Sequence, residues 1–248
     1  MSQVLLYAFI AGVLGTTLGG IIGVLLKKRR VGVDILYGIA GGVMLAMVLC
    51  DLIIEAINKS NVFFVLALFL AGYLIICLID VLTEKYTAKV RVNNVPKILF
   101  AEKKDNGKLM AIVIVISIAV HNFPEGMVIG VTSVDALSVG YILMIALHNI
   151  PEGMAMSLPM MQEGKKPLKA IGICALTGLP TVLGGGISYF LGGVGSVVIA
   201  LCLALAGGAM CYVVFNELLP CSYLESKNRT AFSVLGGIMM GMVIIFSL

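Results

Sequence analysis

Residues 109–131 read LMAIVIVISIAVHNFPEGMVIGV, a strongly apolar run whose middle is interrupted by one short polar motif. An α-helix needs about 20 such residues to cross a bilayer. The motif His121-Asn-Phe-Pro-Glu-Gly-Met127 returns in the next apolar run as His148-Asn-Ile-Pro-Glu-Gly-Met154, and these two histidines are the only ones in the 248 residues. The sequence therefore predicts two neighbouring membrane helices with matching polar groups near the middle of the bilayer.

The whole chain has the composition of an integral membrane protein. Apolar residues make up 60% of it and charged residues 12%, and the mean hydropathy is +1.10. The six cysteines are scattered without a CxxC pair, which argues against a disulfide framework or a thiolate metal site. We predict an all-α membrane protein of eight transmembrane helices, over about 4–26, 34–57, 62–82, 109–131, 136–160, 170–192, 196–220 and 230–248.

The positive charges predict how these helices are oriented in the cell membrane. With the N-terminus outside, 16 of the 17 Lys and Arg residues fall in cytoplasmic loops, and Lys59 is the exception. Both termini are then non-cytoplasmic, and the polar, basic segment at about 83–108 is a cytoplasmic loop. The other loops are short, so residues 1–248 are expected to form a single transmembrane domain. Basic charge in such loops indicates contact with anionic lipid rather than with nucleic acid.

Two distant parts of the chain resemble each other. Residues 40–51 match residues 206–217 at an offset of 166, and residues 14–20 match residues 179–185 at an offset of 165. Five predicted spans separate the members of each pair, an odd number, so the paired helices run in opposite directions. Inverted repeats of this kind are typical of transporters. The alternative is that both segments share only the small-residue packing that is common in membrane helices.

Each motif places a histidine and a glutamate four residues apart, on one face of a helix. His121 with Glu125, and His148 with Glu152, therefore form two-point chelates of nitrogen and oxygen. The proline of each motif frees a backbone carbonyl, and the asparagine adds an amide oxygen. The predicted metal ligands are His121, Asn122, Glu125, His148, Asn149 and Glu152.

This donor set suits Zn²⁺, Fe²⁺, Mn²⁺, Co²⁺ or Cd²⁺ better than Cu⁺, Mg²⁺ or Ca²⁺. Two glutamates that can bridge leave either one or two metal positions open. Buried carboxylates without nearby cations are costly to keep ionised unless a dication or protons neutralise them. Among the other acidic residues, Asp51, Glu55 and Glu217 are either metal positions at opposite mouths of a path or interfacial carboxylates in contact with water and lysine.

The twin motifs resemble the fourth- and fifth-helix signatures of the ZIP zinc and iron permeases, particularly their bacterial, GufA-like branch. The segments Asn216-Glu-Leu-Leu-Pro220 and Ala40-Gly-Gly-Val-Met44 resemble that family's seventh- and second-helix patterns, so the resemblance covers most of the chain. It implies a 3+2+3 inverted-repeat bundle that moves divalent metal into the cytoplasm without ATP, through a centre built from the six motif residues. It also implies a homodimer, and an elevator-like movement of helices one, four, five and six.

The chain departs from the family pattern in helix six. Many relatives carry a glutamate there in a Gly-Leu-x-Glu-Pro context, where this chain has Thr181 after Gly178-Leu-Pro. The missing carboxylate weakens the expectation of a two-metal centre and leaves Thr181 as a neutral oxygen on the metal path. The segment 83–108 contains no histidine, so metal sensing by this loop is not expected.

Three functions follow from these features. The first is a secondary transporter or channel whose substrate is zinc, with iron, manganese and cadmium as further substrates and no cofactor. The chain has no phosphate-cradling GxxxxGK[ST] loop, so an ion gradient or the membrane potential must drive transport. The alternatives are an intramembrane metalloenzyme and a metal-sensing membrane protein. Neither motif is HExxH and the two sites are symmetric, which argues against the enzyme.

Overall fold

The computed structural model describes residues 2–26, 33–88, 107–132, 139–162, 164–190 and 195–247. These residues form eight long helices and contain no β-strand. In the described part of the chain, six of the helices are identified by length and composition as able to cross a membrane. The eight helices are α1 (Ser2–Leu26), α2 (33–59), α3 (Val62–Ala88), α4 (Gly107–Thr132), α5 (Val139–Gln162), α6 (Pro167–Phe190), α7 (196–225) and α8 (Lys227–Ser247).

Each of the eight predicted spans overlaps one of these helices over its described residues, and the chain is a multi-pass membrane protein. The main difference is at the predicted loop 83–108, because α3 continues to Ala88 and α4 already begins at Gly107. The apolar run ends near Leu82, but residues such as Glu84 and Lys85 are good helix formers and extend the helix. Residues 89–106 of the predicted loop lie outside the described residues.

Among the described residues, three helices contain a π-helical turn. The turns are Phe9–Leu14 in α1, Val48–Leu52 in α2 and Val214–Leu218 in α7. The turn in α7 lies 166 positions after the turn in α2, which is the offset of the sequence repeat. Helix α6 has no π turn but is interrupted at Gly178, between Thr177 and Leu179. Because π turns are rare and occur often at functional sites, the matched pair supports a structural relation between α2 and α7.

The helices pack as two groups. In the first group α1 lies along α5 and α6, and α4 lies along α6. In the second group α2 packs against α8, and α7 packs against α3 and α2. Contacts of α4 with α7 and of α5 with α2 join the groups, through buried apolar residues that include Val128, Ala155, Met47 and Met210. The motif helices α4 and α5 therefore lie in the interior of the bundle. On one side they contact α1 and α6, and on the other side they contact α2 and α7.

Within the first group, α1 and α6 approach the motif helices so closely that glycine is required at the contact. A Cβ atom on Gly153 of α5 would collide with the carbonyl oxygen of Thr16 in α1. A Cβ atom on Gly126 of α4 would collide with the carbonyl oxygen of Thr181 in α6. Gly126 and Gly153 hold the same position in the twin motifs, so α1 contacts α5 in the way that α6 contacts α4.

Candidate metal centre

All six motif residues are buried inside the protein. Glu125 is 3% exposed, and His121, Asn122, His148, Asn149 and Glu152 are fully buried. Helices α4 and α5 cross at this level and bring the two motifs face to face. Residues 109–162, which contain both motifs, include no lysine or arginine. The two carboxylates therefore lie in an apolar interior, and the only basic residue of their own helices, Lys108 at the start of α4, is 17 positions from Glu125.

The histidines make their close contacts across the helix pair. Nε2 of His121 lies 3.1 Å from Oε1 of Glu152, and Nε2 of His148 lies 2.7 Å from Oε1 of Glu125. The sequence suggested chelates within one helix, whereas the shortest contacts join the motifs reciprocally. Ligand atoms of His121, Glu125 and Glu152 also lie within 4.8 Å of one another, so one cation can contact all three side chains. These are donor types that a divalent transition metal accepts, so the three residues form a candidate metal site.

The two asparagines are held by backbone groups of α1 and α6. Asn122 donates to the carbonyl oxygen of Thr177 at 2.7 Å, and Asn149 donates to the carbonyl oxygen of Ala11 at 3.0 Å. Each bond fixes the orientation of an amide, with its nitrogen toward the neighbouring helix. Sequence reasoning could not identify these two carbonyl groups, because every residue has one and only the packing of the helices selects them.

The matched contacts of α1 and α6 follow two registers. Thr177 lies 166 positions after Ala11, whereas Thr181 lies 165 positions after Thr16. The π turn Phe9–Leu14 lies in this part of α1, and its wider hydrogen-bonded ring accommodates one additional residue. The π turn therefore contains the one additional residue of α1, and the contacts of Ala11 and Thr16 on either side of that residue are kept.

Several oxygen atoms around the cluster have no hydrogen-bond partner among the described residues. Burying a polar atom in an apolar environment without such a bond costs about 1–3 kcal/mol, as judged from mutational data. Their number makes simple helix packing a poor explanation for the motifs, and a cation bound between His121, Glu125 and Glu152 would neutralise the two carboxylates. The unpartnered side-chain atoms are Oδ1 of Asn122, Oε2 of Glu125, Oδ1 of Asn149 and Oε2 of Glu152.

Thr181 lies beside the cluster, but its hydroxyl group points toward α1. Its carbonyl oxygen is next to Gly126, the neighbour of Glu125, whereas a Cβ atom on Gly12 would lie 2.6 Å from its Oγ1. Thr181 is fully buried, and its Oγ1 has no hydrogen-bond partner in the described part of the chain. Thr181 therefore approaches the motif helix α4 with its backbone carbonyl oxygen and not with its hydroxyl group.

The secondary acidic residues differ in their surroundings. Glu55 forms an ion pair with Lys59 at 3.2 Å on the surface of α2. This contact agrees with the interpretation of Glu55 as an interfacial carboxylate. Asp51 lies in the π turn of α2, and its Oδ2 is buried without a hydrogen-bond partner among the described residues. Its neighbour Leu52 lines a cavity of about 10 Å³, roughly the space of one water molecule, together with Glu125. The side chain of Glu217 lies outside the described residues.

A polar network between α3 and α7 was not predicted. The hydroxyl group of Tyr212 donates to Oδ2 of Asp80 at 2.5 Å, and Asn216 donates to the hydroxyl oxygen of Tyr73 at 3.0 Å. The rings of Tyr73 and Tyr212 meet edge to face with their centroids 5.2 Å apart. Sequence reasoning could not detect this network, because the two residues of each hydrogen-bonded pair are more than 130 positions apart.

Eight helices and a buried cluster of imidazole, carboxylate and amide groups define a multi-pass membrane protein with a candidate site for a divalent metal. Residues 100–248 match the family described as ZIP Zinc transporter. Zinc transporter ZupT of Chlorobaculum parvum is 32% identical over 98% of this chain and 97% of its own length. Zinc transporter ZupT of an Enterobacter species is 31% identical over 99% of this chain and 97% of its own length.

The chain therefore belongs to the ZIP zinc transporter family, as its twin motifs indicated. Zinc transporter ZupT of Streptococcus mutans is also similar, with 30% identity over 98% of this chain. This is a family of transporters rather than of enzymes, so the metalloenzyme alternative is set aside. The family also makes a metal ion the substrate of the protein rather than its cofactor.

Proposed function

We propose that this protein carries Zn²⁺ across the membrane through the cluster formed by the twin motifs. The observation that carries the proposal is the reciprocal pairing of His121 with Glu152 and of His148 with Glu125. It supplies two nitrogens and two carboxylates in a buried site, with further oxygen atoms unpartnered around it. Zinc accepts nitrogen and oxygen ligands of this kind. The predicted ligands are the six motif residues.

The same donors accept other transition metals. Imidazole and carboxylate ligands suit Fe²⁺, Mn²⁺ and Cd²⁺ as well, so these ions are proposed as additional substrates. Mg²⁺ prefers an all-oxygen shell and is expected to compete weakly. The three groups that lie within 4.8 Å of one another, His121, Glu125 and Glu152, favour one principal metal position. The neutral Thr181 is consistent with that reading, because it adds no carboxylate for a second ion.

The fold proposed for this function is a 3+2+3 inverted repeat, a single transmembrane domain over residues 1–248. The matched π turns of α2 and α7 support it, as do the matched contacts of α1 with α5 and of α6 with α4. In the cell membrane both termini would then face the non-cytoplasmic side, with the segment between α3 and α4 in the cytoplasm. A homodimer remains a proposal from the family resemblance.

Inward movement is the direction that the membrane potential favours. A dication entering a cell gains about 4.6 kcal/mol per 100 mV, which is twice the value for a single charge. Asp51, whose Oδ2 is buried without a partner, is the better candidate for a metal position on the path. Glu55 is the weaker one because Lys59 already neutralises it. Glu217 and Thr181 are further proposed positions along the path.

The test is uptake of ⁶⁵Zn²⁺ into proteoliposomes that contain the purified protein. Glu125→Gln removes a charge from the cluster with little change in shape, and we expect uptake at the level of empty vesicles. Glu55→Gln is the control for the loss of a carboxylate outside the cluster, and because Lys59 already pairs with Glu55 at the surface, this variant should keep most of the wild-type uptake. Unlabelled Fe²⁺, Mn²⁺, Cd²⁺ and Mg²⁺ rank the substrates. Normal uptake by Glu125→Gln would show that the metal passes elsewhere, and binding without uptake would favour a metal sensor.

A further inference from the structure

A groove of about 580 Å³ lies between α7 and α8, away from the motif cluster. Most of its lining is apolar, and it is open along one side. In a multi-pass membrane protein, such a groove is filled either by another protein or by lipid. The residues that decide between these occupants are Phe215, Leu219, Tyr223, Lys227, Ala231 and Val234.

The groove changes in polarity along its length. Phe215 lies at one end, and Tyr223 follows eight residues later, about 12 Å along a helix at 1.5 Å per residue. Both aromatic side chains are 52% exposed. Lys227 lies beyond Tyr223, where α7 has ended and α8 begins. Tyrosine and lysine at the end of an apolar wall are the arrangement found where membrane helices meet the lipid headgroups.

The charge of Lys227 is not neutralised within the described part of the chain. Lys227 is exposed, and no acidic side chain there forms an ion pair with it. The nearby Arg229 differs, because its Nε pairs with Oδ2 of Asp34 at 2.9 Å. Asp34 is 3% exposed, so that second cation is already engaged in holding α8 to α2. Lys227 is therefore the cation that the groove offers to a ligand.

We propose that this groove binds an anionic membrane phospholipid, with its phosphate group at Lys227 and one acyl chain along Leu219 and Phe215. A free phosphate would leave the apolar wall uncovered, and an apolar protein segment would leave Lys227 without a counter-charge. A basic residue close to the membrane surface attracts anionic headgroups, whereas a zwitterionic headgroup carries no net charge for it. The polarity of the groove thus matches the two ends of an anionic phospholipid.

Binding of this lipid should stabilise the junction of three helices. Ser222 of α7 donates to the carbonyl oxygen of Asp34 in α2 at 2.6 Å, and its Oγ lies 2.9 Å from Oγ1 of Thr230 in α8. Thr230 also lines the groove. A lipid that contacts α7 and α8 together therefore holds in place the ends of helices that this network connects. The proposal does not depend on metal transport.

The experiment measures lipid binding to delipidated protein in detergent by native mass spectrometry, with the melting temperature as a second reading. Phosphatidylglycerol, phosphatidylcholine and inorganic phosphate are compared. We expect phosphatidylglycerol alone to bind and to raise the melting temperature. Lys227→Gln should weaken its binding about five-fold, the effect of one basic residue near an anionic lipid surface. Lys169→Gln is the matched control, since Lys169 is also exposed but lies on α6, and it should bind as the wild type does.

A second variant tests the apolar part of the groove. Ala231→Phe fills it without altering charge and should reduce phosphatidylglycerol binding, including in the event that Lys227→Gln does not fold. Equal binding of phosphatidylcholine would overturn the proposal, as would equal losses in Lys227→Gln and Lys169→Gln. Stabilisation by inorganic phosphate alone would also overturn it, because the apolar wall would then have no part in binding.

Discussion

Nε2 of His121 lies 3.1 Å from Oε1 of Glu152, a residue 31 positions away on the other motif helix. The reciprocal contact joins His148 to Glu125 at 2.7 Å. The same side chains that are predicted to bind metal thus also join α4 to α5. Because these contacts form without metal, the coupling energy between the paired residues can be measured in the metal-free protein.

The first prediction is that His121 and Glu152 are energetically coupled without metal. In a double-mutant cycle of His121→Ala and Glu152→Ala, residues in direct contact should show a coupling of about 0.5–3 kcal/mol. The measurement is unfolding of EDTA-treated protein in detergent. Glu55→Ala with Glu152→Ala is the control cycle and should be additive, because Glu55 pairs with Lys59 on the surface. Additive effects in the first cycle would mean that the cross-helix contact does not form.

The second prediction concerns the asparagines. Asn122→Ala or Asn149→Ala should weaken Zn²⁺ binding about 10- to 100-fold, the effect of removing groups that support a metal site. The physical reason is that each amide oxygen is buried without a partner among the described residues, while its nitrogen is held by a backbone carbonyl. Competition with a fluorescent zinc chelator measures the change.

Asn61→Ala is the matched control for both asparagine variants. Asn61 accepts a hydrogen bond from the backbone N–H of Phe63 at the start of α3, on an exposed surface. Its loss should leave zinc affinity unchanged. If Asn122→Ala and Asn149→Ala also retained wild-type affinity, the two amides would serve helix packing alone.

Much of the fold could be predicted because membrane helices have a strong signal in a single sequence. Each apolar run of about 20 residues marks a helix, since the backbone must be hydrogen-bonded internally in lipid. The twin motifs were also visible, because the histidines occur nowhere else in the chain. The elements that sequence did not reveal are those that depend on packing between distant residues.

The pairing of the motifs is one such element. Periodicity places His121 and Glu125 on one face of a helix, but it does not determine how that face turns toward α5. The network of Tyr212 with Asp80 depends in the same way on the packing of α3 against α7. The π turns likewise have no local signal in the sequence.

The third prediction concerns the close approach of α1 to α5. A Cβ atom on Gly23 would collide with Oγ of Ser157, whereas its next contacts, to Met154, are 3.3 Å away. Gly23→Ala should therefore destabilise the protein by about 1–3 kcal/mol, the usual cost of overpacking. Adding Ser157→Gly removes the obstructing side chain and should restore part of the loss. Melting temperatures in detergent measure both effects.

Gly236→Ala is the matched control for Gly23→Ala. No atom lies within 4 Å of a Cβ atom built at Gly236 on α8, apart from its immediate neighbours. Alanine is the better helix former, so this variant should be as stable as the wild type or more stable. If Gly23→Ala behaved in the same way, α1 and α5 would have to be farther apart than in the structure.

The last prediction is that the polar network between α3 and α7 stabilises the second helix group rather than the metal cluster. Tyr212→Phe removes the donor to Asp80 and leaves a partly buried carboxylate oxygen unsatisfied, at a cost of about 1–3 kcal/mol. Adding Asp80→Leu removes the unpaired carboxylate and should recover part of that cost.

Tyr189→Phe, on the exposed end of α6, is the control and should have the melting temperature of the wild type. Zinc affinity should be unchanged in all three variants, because Tyr212 and Asp80 are not among the six predicted ligands. A Tyr212→Phe protein with normal stability but weakened zinc binding would instead assign this network to the metal path.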